Sequence, residues 1–389
     1  MTPRPLYLDY HATTPVDPRV LAEMLPFFCE RFGNPASRQH AWGWDADRAV
    51  DTARAQVAAL INATPAEIIF TSGATESNNL ALKGAAESLR DRGRHIVTVA
   101  TEHKSVLDAC KRLGTCGFEV TVLAVQADGL IDLDRLRGAM TPQTILVSVM
   151  AANNEIGTLQ SLEAIGAIAH QHGALLHTDA AQAAGKVPID VRAMNIDLLS
   201  LTGHKLYGPK GAGALFVAKA KPKLTLAPQI DGGGHEHGFR SGTLNVPGIV
   251  GLGRATEICR EEMPAESARL RGLRDRLLDG LRVRLGGVTV NGTLERRLPH
   301  NLHVSFAGVE GEALLMAIGD LAVSTGSACS SGSQAPSHVL QAIGAVREGG
   351  GASIRFGLGR NTTAEDVDYA IDRVVTVVSS LRGAVAGPT

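Results

Sequence analysis

The chain contains no apolar run approaching the ~18 to 20 residues needed to cross a bilayer. No membrane-spanning helix is therefore expected. The opening MTPRPLYLDY has no apolar segment behind a basic start, which argues against export and for a cytoplasmic enzyme. A surplus of positive charge is also missing. Thirty-eight Lys and Arg against 39 Asp and Glu give a formal net charge of −1, so the electrostatic footprint of a direct nucleic-acid binder is absent. The five cysteines, at positions 29, 110, 116, 259 and 329, form no CxxC pair and no His/Cys cluster of zinc type. Reduced thiols in a reducing compartment follow, and no metal is required. What is present is ordinary for a globular protein: 44% hydrophobic and 20% charged residues over 389 positions, enough for one large core and a smaller one.

From about residue 65, short β-rich runs alternate with longer amphipathic stretches. The runs are EIIF (67–70), HIVTVA (95–100), EVTVLAV (119–125), TILVSVMA (144–151), ALLHTD (174–179), DLLSLT (197–202) and GALFVA (213–218). Segments such as NNLALKGAAESLRDRG and LEAIGAIAHQHG separate them. Strands apolar on both faces, joined by helix-length connections, predict an α/β layer fold with a mostly parallel sheet of seven strands. After Gly232–Gly234 the pattern changes, and a long charged helix is expected from about residue 264. It precedes VTV, NLHVSF, a helix in EGEALLMAIGD and a terminal helix. The expected organisation is a large α/β domain over 16–260 and a smaller α+β domain made of 1–15 with 261–389.

Four stretches carry chemistry. In DLLSLTGHKLYGPKGAG, Lys205 lies just past a buried strand end, where apolar surroundings would lower its pKa and leave a free amine able to form a Schiff base with an aldehyde. A solvated loop lysine, as Lys210 is expected to be, stands beside that reading. In ALLHTDAAQAAG, Asp179 ends a strand at the carboxyl edge where open α/β sheets bind ligands, and such a carboxylate can hold a pyridinium nitrogen protonated. A helix N-cap is the alternative. EIIFTSGATESNN turns through Ser72-Gly73-Ala74-Thr75 into a helix, aiming free N–H groups at an anion such as phosphate. His103, after HIVTVA, is placed to stack on a flat ring or move a proton, or to satisfy local hydrogen bonds only.

The order of these pieces, with NNE at 153–155 between them, resembles that of the fold-type I pyridoxal phosphate enzymes, and within them the cysteine desulfurases of the NifS/IscS type. The resemblance spans nearly the whole chain: YLDYHATTP, FGNPASRQH, TSGATESNN, TEHKSVLD, NNEIGTLQ, HTDAAQAAGK, GHKLYGPKG, GGGHEHGFRSGT, SGSACSSGS and SIRFGLGR. It implies pyridoxal 5'-phosphate as cofactor, with Lys205 forming the internal aldimine and Asp179 pairing with the pyridine nitrogen. By the same resemblance Gln182 contacts the ring hydroxyl and Asn154 the cofactor and substrate. His103 stacks on the ring and assists proton transfer. Ala74, Thr75, Thr202 and His204 hold the phosphate, and Thr243 reaches in from the partner subunit of a homodimer. Arg355 would clamp the substrate carboxylate, for which a bidentate guanidinium is suited.

The implied reaction converts L-cysteine to L-alanine. The thiol matching Cys329, on the Gly/Ser-rich stretch AVSTGSACSSGSQ, takes the sulfur as a persulfide and passes it to an acceptor protein such as an iron–sulfur scaffold, where Cys329 would meet a cluster. A selenocysteine lyase and a class-V aminotransferase share the cofactor site. The aminotransferase has no use for Cys329. A degenerate, non-enzymatic assembly partner would be expected to lack the lysine, which is present. Two departures from the resemblance stand out. His11 occupies a place where relatives more often carry Ser or Ala, and the sequence assigns it no role. The chain ends soon after the terminal helix, at SSLRGAVAGPT, without the extension some relatives use to dock a scaffold.

Overall fold

The computed structural model describes residues 5–219, 224–325, 337–346 and 352–385. The chain opens with a short strand, β1 (Leu6–Tyr7), and three helices, α1 (Pro18–Met24), α2 (Pro26–Cys29) and α3 (Ala41–Leu60). It then alternates through β2 (Ile68–Thr71), α4 (Ala74–Ser88), β3 (His95–Val99), α5 (Lys104–Thr115), β4 (Glu119–Leu123), α6 (Leu133–Ala139), β5 (Thr144–Ser148), α7 (Leu162–Gln171), β6 (Leu175–Asp179), β7 (Leu198–Thr202) and β8 (Gly213–Val217). The long α8 (Val246–Arg284) leads into β9 (Val288–Val290), β10 (Asn301–Phe306), α9 (Gly311–Ala317), β11 (Leu321–Ala322), α10 (His338–Ala342), β12 (Ala352–Gly357) and α11 (Ala364–Val385).

Strands β2 to β8 form one seven-stranded sheet in the order β2-β8-β7-β6-β5-β3-β4. Only β8 runs against its neighbours, pairing antiparallel with β2 and β7, while the other pairings are parallel. The reason lies in composition. Runs such as Thr144–Ser148 and Leu198–Thr202 are buried along their whole length, so both faces need a helical cover. One face packs on residues of α3, α7 and α8, including Val50, Val57, Ile165, Leu252 and Ile258. The other packs on α4 and α5 through Leu80, Leu82, Val106 and Leu113. The edge strand β4 is instead half exposed and begins with Glu119, as suits a strand open to water on one side.

A separate core gathers Leu8, Leu270, Leu277, Phe306, Ile354, Phe356 and Val374 around the antiparallel sheet β12-β10-β9. Helix α8 joins the two cores: Cys259 packs in the first and Leu270 in the second. The helix expected from residue 264 therefore begins eighteen residues earlier, at Val246 (264 − 246 = 18). Pro264 reads as a helix start, being favoured in the first turn, but it sits inside α8 where the helix crosses from one core to the other. The Gly-rich stretch before it hides its helical period because small residues are needed there: a Cβ on Gly253 would lie 2.6 Å from the Cα of Ala53 in α3.

Candidate active site

The strand ends at the carboxyl edge of the large sheet open onto a cavity of about 620 Å³, in the size range of small-molecule sites. It is lined by Ala74, Thr75, His103, Asn154, Asp179, Gln182, Thr202, His204, Lys205 and Arg355, with His11 to Thr13 closing one side. The order of the strands reverses between β3 and β5, and the turns after those strands carry His103 and Asn154. That is the switch point at which open α/β sheets bind ligands.

The turn between β2 and α4 is a built anion cradle. Gly73, the N-cap of α4, has φ +152°, and the N–H groups of Ala74, Thr75 and Glu76 in the first turn have no helical acceptor. β8 passes so close that a Cβ on Gly213 would stand 2.5 Å from the Gly73 Cα, and Thr202 ends β7 beside the same turn. His204 Nδ1 lies 3.2 Å from Thr13 Oγ1. Burial first, then the neighbouring Lys205 and Lys210, push the His204 imidazole down to about 4, so it is neutral near pH 7. Glu76 also borders the cavity, but its carboxylate is engaged by Arg240 Nε at 2.9 Å and the Ser72 N–H at 2.9 Å.

At the cavity floor, Asp179 Oδ1 accepts from the Ala181 N–H (2.9 Å) and Oδ2 from Asn78 Nδ2 (2.7 Å). Asp179 thus caps the turn that follows β6 and also borders the cavity. The same Asn78 amide donates to Ser105 Oγ at 2.8 Å, which lies 2.8 Å from His103 Nδ1. His103 is the N-cap of α5, and its Nδ1 accepts from the Ser105 N–H at 3.2 Å. An acceptor at Nδ1 puts the proton of the neutral ring on Nε2. Burial holds this imidazole below its ordinary value, with Asp179 opposing and Lys205 adding to the shift.

Lys205 follows Thr202 in a single helical turn, and its Nζ donates to the backbone carbonyls of His11 and Ala12, the second at 2.9 Å. The expected apolar setting is corrected here: the amine is held against carbonyl oxygens of the N-terminal segment. Lys210, expected to be solvated, is exposed but borders the same cavity. Gln182 Nε2 donates to the His11 carbonyl at 3.0 Å, and its Oε1 lies 3.0 Å from His11 Nδ1. Arg355, fully buried, donates from Nη2 to Asp9 Oδ1 at 2.7 Å and from Nη1 to the Asn154 carbonyl at 2.9 Å. Its Nε is buried without a partner among the described residues. Thr243 is exposed and does not line this cavity, and Cys329 lies outside the described residues.

The sequence reading missed Asp9, Asn78, Ser105 and the Glu76–Arg240 pair, and named His11 without giving it a role. Of those missed, Asn78 carried a signal, since it stands one helical turn beyond Ala74 in TSGATESNN. The donor set fits pyridoxal 5'-phosphate: an amine for the aldehyde, a carboxylate for the ring nitrogen, and unpaired helix N–H groups for the phosphate. Among the described residues no group of His, Cys, Asp and Glu is arranged to hold a metal ion, and no helix is long and apolar enough to cross a membrane.

Comparison with known proteins agrees with this geometry. The family model for aminotransferase class-V matches residues 6–370. The chain belongs to that family of pyridoxal-phosphate enzymes of fold type I. It is 58% identical over 378 residues to "Cysteine desulfurase IscS" of Methylococcus capsulatus, covering 97% of this chain and 93% of the relative. The corresponding protein of Anaeromyxobacter dehalogenans is 56% identical over the same shares. A solved structure titled "NIFS-LIKE PROTEIN" superposes with a TM-score of 0.90 at 39% identity, covering 97% of this chain and all of that one. Another, "SspA in complex with cysteine", gives a TM-score of 0.80 at 40% identity over 91% and 98% of the two chains. The activity is that of a pyridoxal-phosphate-dependent cysteine desulfurase, which acts on cysteine and transfers its sulfur to acceptors.

Proposed function

We propose that the cavity residues divide the desulfurase reaction as follows, on the observation that Lys205, Asp179 and the free N–H groups of α4 all face one cavity. Lys205 is the attachment point of pyridoxal 5'-phosphate, and Asp179, steadied by Asn78 and Ala181, pairs with the ring nitrogen. Ala74, Thr75, Thr202 and His204 hold the phosphate, and Thr243 serves the site of a partner subunit in a homodimer. When bound, the cofactor supplies an electron sink for bonds around the amino acid's α-carbon.

The chain's own residues do the rest. Arg355 receives the substrate carboxylate, with Asp9 and the Asn154 carbonyl fixing the plane of its guanidinium. His103 carries a proton on Nε2, and Ser105 keeps it there through Nδ1. The Cys329 thiolate takes the substrate sulfur: the C–S bond of cysteine breaks, an S–S bond forms on Cys329, and alanine leaves with hydrogen in place of the thiol. The persulfide then passes to a thiol of an acceptor protein, an iron–sulfur scaffold by the resemblance to IscS proteins, in a reducing cytoplasm. The solved relative holding cysteine supports the choice of substrate.

The test compares the chain with its Cys329→Ser variant on L-cysteine. The variant should keep the visible absorbance of the bound cofactor and form no persulfide, with alanine production falling at least about a hundredfold. Alanine formed at the normal rate by the variant would move the assignment to direct elimination, as in a selenocysteine lyase.

A further inference from the structure

The sequence left His11 without a role, and the structure buries it completely between the two cores. Two hydrogen bonds and one stacking contact surround its ring. Asn301 Nδ2 lies 3.0 Å from His11 Nε2, and Gln182 Oε1 lies 3.0 Å from His11 Nδ1. The His300 ring stacks on it at 4.4 Å. Behind Asn301, the buried Arg297 donates from Nη1 to Asn301 Oδ1 at 2.8 Å.

The direction of every proton in this chain follows from its far end. A guanidinium has only donors, so the Asn301 atom facing Arg297 is oxygen. The Asn301 NH₂ then faces His11, and its second hydrogen goes to the Glu155 carbonyl at 3.0 Å, which requires the same orientation. His11 Nε2 must accept, so the ring is neutral with its proton on Nδ1, donated to Gln182 Oε1. That in turn points Gln182 Nε2 to the His11 carbonyl, 3.0 Å away, where only a donor fits. One Nε2 hydrogen of Gln182 remains, on a residue that lines the cavity.

The structure assigns to His11 a positioning role: with Asn301 and Arg297 it forms a one-way hydrogen-bond relay that locks the Gln182 amide with its NH₂, and never its oxygen, offered to the cofactor's ring oxygen. Complete burial keeps the His11 imidazole well below its ordinary value, and the nearby Arg355 and Lys205 act in the same direction. The relay is therefore fixed rather than switchable near pH 7. It rests on the proposed contact of Gln182 with the cofactor and is independent of where the sulfur goes.

Asn301→Asp tests it with almost no change of shape. An aspartate beside Arg297 gains an ion pair but has no N–H for His11, so the imidazole proton is drawn to Nε2 and Nδ1 becomes an acceptor facing the Gln182 oxygen. The holoenzyme is titrated by its visible absorbance, and cofactor affinity is measured by re-adding pyridoxal 5'-phosphate to the stripped protein. A hydrogen bond to an ionised oxygen favours the ionised form, so its loss should raise the pH midpoint of the absorbance change by about one unit. Affinity should weaken about tenfold. His11→Asn, which can keep an N–H toward Gln182, should stay near the parent in both readouts. If Asn301→Asp fails to fold, His11→Leu removes the same donor and carries the same expectation. An unchanged midpoint and affinity in a folded Asn301→Asp protein, with both altered in Gln182→Ala, would overturn the relay. If Gln182→Ala also changes neither, the Gln182 contact itself fails and the inference falls with it, leaving the desulfurase activity untouched.

Discussion

The cavity has two walls built on different principles. One consists of strand ends: Ser72 to Thr75 after β2, His103 after β3, Asn154 after β5, Asp179 after β6 and Thr202 to Lys205 after β7. Each residue is placed by the few positions around it, as an N-cap, a turn or a strand terminus. The other wall, His11 to Thr13 with Arg355, is placed by partners far away in the chain. His11 reaches Gln182 across 171 positions and Asn301 across 290, and Arg355 reaches Asp9 across 346. The first wall inherits its precision from regular backbone, whereas the second has to be locked by buried hydrogen bonds whose polarity must agree from end to end.

Lys205 is where the walls meet, its amine coming from the strand side and resting on carbonyls of the other, so its removal should have the largest effect. Lys205→Ala should abolish the visible absorbance of covalently held cofactor and, with it, all alanine formation from cysteine. The cradle at α4 and the Asp179 carboxylate remain, so added pyridoxal 5'-phosphate should still bind, more weakly and without covalent attachment. A variant that keeps the absorbance would place the attachment on another amine, Lys210 being the other lysine bordering the cavity.

The same contrast explains what the sequence could tell. The seven strands were legible because apolar runs of four to eight residues recur between helix-length segments, and the residues just past them fell at the sheet's edge by topology alone. Asp179 and His103 each admitted a local reading and a functional one; the structure shows the local capping bonds of both and leaves both residues at the cavity. His11 stood out only as a departure without a role, and Asn301 and Arg297 gave no signal. A buried polar relay has no period and no spacing, and its members look like ordinary polar residues until the fold brings them together. α8 was cut short for a related reason: its first half is written in small residues that fit against α3 rather than in a visible amphipathic stripe.

Breaking the strand-end wall without touching a functional group would sharpen the comparison. Gly213→Val puts a branched side chain where even a Cβ would lie 2.5 Å from the Gly73 Cα and 2.7 Å from the Leu201 carbonyl oxygen. Both obstacles are backbone, so the phosphate turn or β8 must shift. A loss of about 1–3 kcal/mol in unfolding free energy is expected from overpacking, together with weaker cofactor binding. Denaturant titration and cofactor affinity check this pair. Lost stability with unchanged affinity would mean that the turn does not depend on the close approach of β8.

The smallest effect is expected behind the second wall, at Glu155, whose backbone carbonyl accepts from Asn301. Its carboxyl is buried and accepts from the Ser337 hydroxyl, which itself caps α10 by accepting from Val339 and Leu340 N–H. Burial raises this carboxyl to about 7, against the pull of Ser337 and Arg355. Because the folded value exceeds the unfolded one, the folded chain holds the extra proton between the two. Glu155 therefore adds stability below the ordinary carboxyl range and loses it as pH rises through about 7. Glu155→Gln keeps an acceptor for Ser337 and cannot ionise, so its stability should fall less steeply between pH 5 and 8, leaving it roughly 1–2 kcal/mol better placed at the alkaline end than the parent's own slope would. Urea titrations at pH 5, 6.5 and 8 measure the difference, in which every other titrating group cancels. Parallel slopes would show that Glu155 is already ionised throughout, and that the layer behind this wall tolerates a buried negative charge near Arg355.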